Sequence, residues 1–224
     1  MINFVFMLTH HDSTVPDAVD HIDQLAATGL RYLGFKDVGA TPERQKEINE
    51  AAHAAGFTTM LEVVSVSREA EVASVEAAIA AGVDWVLGGT NPDAVVPLLR
   101  GTAIRYCPFP GRVVGHPSVL EGTVDEIAAS AAALTATVGV YGVDLLAYRH
   151  AGADIAELTK AVVAASAGPV IAAGSVTSAE QIRTLAEAGA WGFTIGSAIF
   201  DGQLPGAPDV AAQVREVLAI AESV

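Results

Sequence analysis

The sequence predicts an α/β fold, a single (β/α)8 barrel over residues 1–224. Three observations predict it. Four segments repeat a glycine followed by a strand of similar length: GLRYLGFKD from Gly29, GVDWVLGGT from Gly82, GVDLLAYRH from Gly142 and GAWGFTIGS from Gly189. Four other strand candidates, around residues 4–8, 58–64, 103–107 and 170–173, alternate with these. Amphipathic, Ala-rich stretches separate them at roughly 28 residues per unit, the rhythm of a parallel sheet closed on itself. A doubly wound open sheet seldom gives eight such even units.

Taken in order, the opening MINFVFML lacks a basic n-region and a small-residue cleavage site, so it reads as a strand and not a signal peptide. Ala18, Val19, Ile22, Leu25 and Ala26 then follow helical spacing, one face to pack on a barrel. Thr41-Pro42 and Asn91-Pro92 each offer an N-cap with proline at the first helical position. Thr123 with Glu126, and Ser178 with Gln181, have capping-box spacing. Each repeat glycine reads as the residue that ends a helix and leads into a strand. The uncharged stretch from Ala161 to Ala179 is long enough to raise the question of a membrane span. Gly168-Pro169 and Gly174-Ser175 divide it into a helix end, a turn and a strand, so a soluble chain is expected.

Composition narrows the function classes. Hydrophobic residues are 51% and charged residues 17%, too apolar for a disordered chain. Aromatics are only 6%, so the core is expected to be aliphatic. Twelve basic against 26 acidic residues give a formal charge of −14. That balance argues against a nucleic-acid partner or an anionic membrane surface. An anionic substrate would have to be held by a local pocket against the global field. The single cysteine, Cys107, excludes an internal disulfide and a thiolate cluster, and fits a reducing cytoplasm. No nicotinamide fingerprint is present and no cofactor is required.

Aligning the repeats assigns depth. Asp84 and Asp144 fall two residues after their glycines, at the expected bottom of the barrel, which makes them structural. Lys36, Gly89, Arg149 and Gly196 fall seven residues after, near the C-terminal face where barrel active sites lie. The chain has three lysines, and Lys46 and Lys160 fall on expected exposed helix faces. Strand alternation turns Tyr32, Gly34 and Lys36 inward and Leu33 and Phe35 toward the helices. An inward lysine is costly unless paired or used. Lys36 is therefore a catalytic candidate, as a Schiff-base amine with a pKa lowered by Arg149 or as an electrostatic stabiliser of an enolate. Glu62, expected on the same face of the neighbouring strand, is a candidate base for a proton beside a carbonyl, or simply the partner of Lys36.

Arg149 suits a second anionic group on a substrate. His10 and His11 adjoin at the end of strand one, and alternation lets at most one of them face the pocket. His10 enters the candidate catalytic set, and their spacing with Asp12 and Glu62 matches no metal motif. The long connection from Pro108 to Ser118 carries Arg112 and His116 and reads as a mobile lid. Cys107 reads as a small core residue and Asn91 as a helix cap.

The C-terminal quarter carries a stronger signal. AAGSV (172–176) and TIGSA (194–198) end strands seven and eight. The loops after those two strands frequently hold phosphate in barrels, through glycine turns and helix N-termini. The run PVIAAGSVTSAEQIRTLAEAGAWGFTIGSAIFDG, Pro169 to Gly202, resembles the ending of the ribulose-phosphate-binding barrel superfamily, which includes phosphoribosyl isomerases, indole-glycerol-phosphate synthases, sugar-phosphate epimerases and hexulose-phosphate decarboxylases.

The resemblance implies that Gly174, Ser175, Gly196 and Ser197 hold a substrate phosphate. It does not carry over catalytic residues. The epimerases' His-x-Asp on strand two is Gly34-Phe35-Lys36 here. The decarboxylases' Asp-x-Lys-x-x-Asp on strand three is Met60 to Ser65, and the isomerases' strand-one end reads Thr9-His10-His11-Asp12. The expected function is an isomerase, epimerase or aldolase-type lyase of carbohydrate metabolism, acting on a small phosphorylated sugar or sugar acid. A homodimer is compatible with it. A phosphate-ligand sensor without catalysis is the alternative, since fold alone does not establish activity.

Overall fold

The computed structural model describes residues 1–224. Its main sheet has eight parallel strands: β1 (Asn3–Met7), β2 (Tyr32–Lys36), β3 (Thr58–Val63), β4 (Trp85–Gly88), β5 (Arg105–Cys107), β6 (Val143–Leu145), β7 (Val170–Ala172) and β8 (Gly192–Ile195). Their spatial order is β6-β7-β8-β1-β2-β3-β4-β5. The two ends approach through backbone bonds from Tyr141 N–H to the Tyr106 carbonyl (2.7 Å) and from Asp144 N–H to the Pro108 carbonyl (3.0 Å), leaving a nearly closed barrel. Helices α1 (Ala18–Leu25), α2 (Pro42–Ala54), α3 (Arg68–Ala81), α4 (Pro92–Leu99), α5 (Val124–Thr135), α6 (Ile155–Ala165) and α7 (Ala179–Glu187) fill the connections. A short α8 (Ser197–Phe200) and α9 (Val210–Glu222) close the chain. No helix is long and apolar enough to cross a membrane.

Strand alternation sorts the core into two shells. Leu33 and Phe35 join Phe6, Ile22 and Ile48 between strands and helices, while Val5, Met7, Met60, Trp85, Leu87, Cys107 and Ile171 fill the interior. The interior is tight at Gly34, where a Cβ would stand 2.3 Å from the Met7 sulfur. Cys107 is fully buried there, and burial raises its thiol pKa, as a core residue should show. Ala26 is exposed, because α1 tightens into a 3-10 turn at that point.

Several local expectations hold and some need correction. Gly29, Gly82 and Gly189 adopt φ of 89°, 78° and 86° after their helices. Thr123 and Glu126 form a reciprocal capping box, and Thr41 caps α2. Ser178 accepts from Gln181 N–H, but the Gln181 side chain turns to Thr177, so that box is only half made. Asn91 occupies the N-cap of α4 without capping it, donating instead to Glu71. The connection after β5, expected as a lid, is built as a hairpin, Arg112–Val114 against Val119–Glu121.

The main correction concerns Gly142. It ends no helix, and β6 begins immediately after it, because strand six approaches Pro169 so closely that a Cβ on Gly142 would meet that carbonyl oxygen at 2.3 Å. The other repeats place two residues between glycine and strand. Asp84 therefore precedes β4 as expected, bonded to His53 and Thr59. Asp144, by contrast, is the central residue of β6 and is wholly buried.

Candidate active site

One cavity of about 290 Å³ opens at the C-terminal mouth, lined by residues from the ends of several strands. Lys36 ends β2 and lies directly opposite Glu62 of β3, which sets the two side chains side by side. Lys36 Nζ is 3.6 Å from Glu62 Oε2 and 2.7 Å from Asp12 Oδ1. Both Lys36 and Glu62 are 4% exposed. Arg149 follows β6 on a 3-10 turn and grips Asp12 with both terminal nitrogens, at 2.8 Å and 2.5 Å. Asp12 thus joins the two cations, a role the sequence reading did not give it.

The electrostatics follow from this arrangement. Burial disfavours the Asp12 carboxylate, but the Arg149 hydrogen bonds and the Lys36 charge outweigh it and hold its pKa well below the usual carboxylate range. Burial also disfavours the Lys36 ammonium. Glu62 and Asp12 reverse the balance, and the Lys36 pKa is raised. The expected lowering by Arg149 is present but smaller than the raising by either carboxylate. Beneath them Asp144 has neither carboxylate oxygen hydrogen-bonded. Its pKa is pushed well up by burial and then by the Glu62 charge.

His10 does not line the cavity. Its Nε2 lies 2.8 Å from Asp201 Oδ1, and its ring lies tilted against that of His11 at a centroid distance of 3.8 Å. His11 lines the wall instead. Only one of the adjacent pair faces the pocket, as alternation requires, and it is His11 and not His10: His11 and Asp12 take φ of 48° and 62°, turning the chain through a small hairpin between Thr9–His10 and Ser13–Thr14. The acids and histidines of the mouth form no set of three or more arranged for a metal ion.

Gly174, Ser175, Gly196 and Ser197 all line the same cavity as Lys36 and Glu62. Gly174 and Ser175 have φ of 79° and 59°, and the N–H groups of Gly174, Ser175 and Val176 have no acceptor within the protein. Successive free N–H groups of this kind form an anion-binding concavity. Gly196 stands at the N-cap of α8, and a Cβ there would meet Thr9 Oγ1 at 2.4 Å. The Ser197 hydroxyl accepts from His11 N–H at 3.0 Å. Arg112 and His116, on the hairpin after β5, are exposed and outside the cavity lining.

Comparison with known proteins agrees with the fold. Residues 149–205 match the family model described as "Histidine biosynthesis protein", one of the ribulose-phosphate-binding barrels. No curated protein sequence matches the chain. Among solved structures, orotidine 5'-phosphate decarboxylase from Pyrococcus horikoshii OT3 superposes with a TM-score of 0.69 at 14% identity, over 99% of this chain and 100% of that one. A structure described as "Native KDPGal structure" gives 0.66 at 16%, over 99% and 95%. The tryptophan synthase alpha chain from Legionella pneumophila subsp. pneumophila gives 0.66 at 12%, over 100% and 92%. The resemblance read in Pro169 to Gly202 is borne out. The (β/α)8 barrel is shared along the whole chain.

Proposed function

We propose that this protein is an enzyme acting on a small phosphorylated sugar or sugar acid, by proton abstraction or carbon–carbon cleavage beside a carbonyl. One observation carries the reading: the free N–H groups at Gly174 and Ser175 share a cavity with the Lys36–Glu62 pair. The phosphate is held by Gly174, Ser175, Gly196 and Ser197. The carbonyl oxygen accepts a hydrogen bond from Lys36. Glu62 takes the proton from the neighbouring carbon, and the electron pair moves to the carbonyl oxygen as an enolate that the ammonium stabilises.

In an isomerase the proton of the adjoining hydroxyl passes to the enolate oxygen, and Glu62 returns its own proton to the former carbonyl carbon, so that the carbonyl moves to the neighbouring carbon. In a lyase the base instead takes a hydroxyl proton, the carbon–carbon bond breaks and the enolate is one fragment. The raised Lys36 pKa favours electrostatic stabilisation over a Schiff base, which needs the neutral amine. Arg149 acts through Asp12, fixing the lysine. The resemblance of the fold to an orotidine 5'-phosphate decarboxylase and a tryptophan synthase alpha chain supports an enzyme without naming the reaction.

The test is a thermal-shift screen of sugar phosphates against the same sugars without phosphate. A ligand at a hundred times its dissociation constant adds about 2.7 kcal/mol to native stability. Stabilisation by phosphorylated members only is expected. Equal stabilisation by both forms, or by neither, would remove the phosphate from the reading.

A further inference from the structure

The sequence expectation for Arg149 is a second anionic group on the substrate. The structure gives that position to Asp12. Its carboxylate bridges Lys36 Nζ at 2.7 Å and the paired Arg149 nitrogens, and its side chain is only 12% exposed. Lys36 and Arg149 are the only lysine and arginine lining the cavity, and Asp12 and Glu62 match them charge for charge. Asp12 and the Ser118 carbonyl take three of the five Arg149 N–H donors, and Nε is buried against Gly174 without a partner.

Asp12 is also fixed in place. It sits at the tip of the hairpin formed by Thr9–His10 and Ser13–Thr14, which is strapped to the barrel on both sides. The Thr14 hydroxyl accepts from Lys36 N–H at 2.8 Å and donates to the Lys36 carbonyl at 2.9 Å, and Thr14 N–H donates to the Val38 carbonyl at 3.0 Å. On the other side His11 N–H donates to Ser197. The left-handed backbone at His11 and Asp12 costs energy, and such conformations persist only where surrounding contacts hold them. This carboxylate is part of the built site and not a loop residue that a ligand readily displaces.

We propose that Asp12 is a specificity-determining residue: a fixed internal carboxylate that occupies the anion positions of Lys36 and Arg149, so that the inner end of the cavity takes an uncharged, hydroxyl-bearing carbonyl chain and rejects a second carboxylate or phosphate. A carboxylate placed there would find no uncompensated cation and would face Glu62 at short range, a like-charge contact in a poorly solvated site. A carbonyl oxygen meets no such penalty, since the Lys36 ammonium has three donors and two carboxylate partners. The inference rests on the sugar-phosphate reading of the cavity and narrows it to monophosphorylated aldoses and ketoses over phosphorylated sugar acids.

The experiment measures dissociation constants of the wild-type protein for tetrose, pentose and hexose phosphates, and for the phosphorylated aldonic acid of each length. A preference of about tenfold or more for a sugar phosphate over its acid is expected. An acid that binds as tightly as its sugar, or more tightly, overturns the role of Asp12 while leaving the phosphate site standing. If no phosphorylated compound binds, the underlying reading falls with it. Asp12→Asn frees the guanidinium, and the acids should then gain at least about tenfold over wild type. An Asp12→Asn protein that folds and keeps the wild-type preference also overturns the proposal. The wild-type comparison stands without the variant.

Discussion

Gly174 lies against the guanidinium of Arg149 so closely that a Cβ there would stand 2.4 Å from Nε and 2.8 Å from Cδ. The glycine therefore has a second reason to be glycine besides the turn it makes with φ of 79°. It lets the arginine lie flat beneath the loop and reach Asp12. One contact links the expected phosphate turn to the charge cluster. Gly174→Ala should lower the free energy of unfolding by about 1–3 kcal/mol, from the left-handed backbone and the displaced side chain together. It should also weaken binding of a sugar phosphate. Denaturant unfolding with and without ligand reads both, and a variant as stable as wild type would mean that Arg149 has room elsewhere.

Lys36 separates the two chemistries first read for it. With Asp12 and Glu62 around it, the amine stays protonated, so borohydride added during turnover should leave no mass adduct on Lys36. A stable adduct would reinstate the Schiff base. Lys36→Met should lower turnover by about a hundredfold or more, the scale of losing one preorganised group at a developing oxyanion. It should also destabilise the fold by about 3–5 kcal/mol, because it leaves a buried carboxylate unmatched. A ligand-saturated stability measurement separates the two effects.

Much of the barrel was legible because its signals are local. Glycine after an amphipathic stretch, proline at the first helical position and strand alternation each act over a few residues, and they place Lys36 opposite Glu62 correctly. What was missed depends on register and charge balance across the barrel. The repeat alignment put Asp144 at the bottom because it assumed that every strand begins at one distance from its glycine, and β6 begins at once after Gly142. Alternation limited the pocket to one of His10 and His11 without saying which, and His11 is turned inward at two positive-φ residues, His11 and Asp12, that carry no glycine to announce them. Asp12 had a signal that went unused. Two inward cations with only Glu62 between them lack one negative charge, and Asp12 is the acid beside the end of strand one.

Asp144 makes stability depend on pH with a sign opposite to that of Asp12. Burial, then the Glu62 charge, raises the Asp144 pKa above its ordinary 3.8, against the pull of Lys36 and Arg149. The folded chain therefore keeps a proton that the unfolded chain releases. The contribution of Asp144 is whole below 3.8 and is lost as pH climbs toward the raised folded value. Asp12, with its pKa lowered, contributes above 3.8 and loses that contribution as pH falls. Asp144→Asn removes the first dependence. Its melting temperature relative to wild type should rise as pH climbs above 3.8 toward the raised folded value. Parallel curves for the two proteins would show that Asp144 is not protonated in the fold.

Glu71 tests whether a buried carboxylate can be structural in the same molecule. It is 1% exposed and accepts from Thr90 N–H at 3.0 Å, Asn91 N–H at 3.1 Å and the Asn91 amide at 2.7 Å. Gly89 has no room for a side chain beside it, since a Cβ would stand 2.3 Å from Glu71 Oε1. The carboxylate ties α3 to the end of β4 and lies outside the cavity lining. Glu71→Ala leaves three donors without their acceptor and should cost about 2–4 kcal/mol of stability. Glu71→Gln keeps one acceptor oxygen and should cost less. Neither substitution should alter the preference for phosphorylated over unphosphorylated ligand, measured well below the melting temperature. A changed preference in the glutamine variant would extend the binding site to the β4 loop.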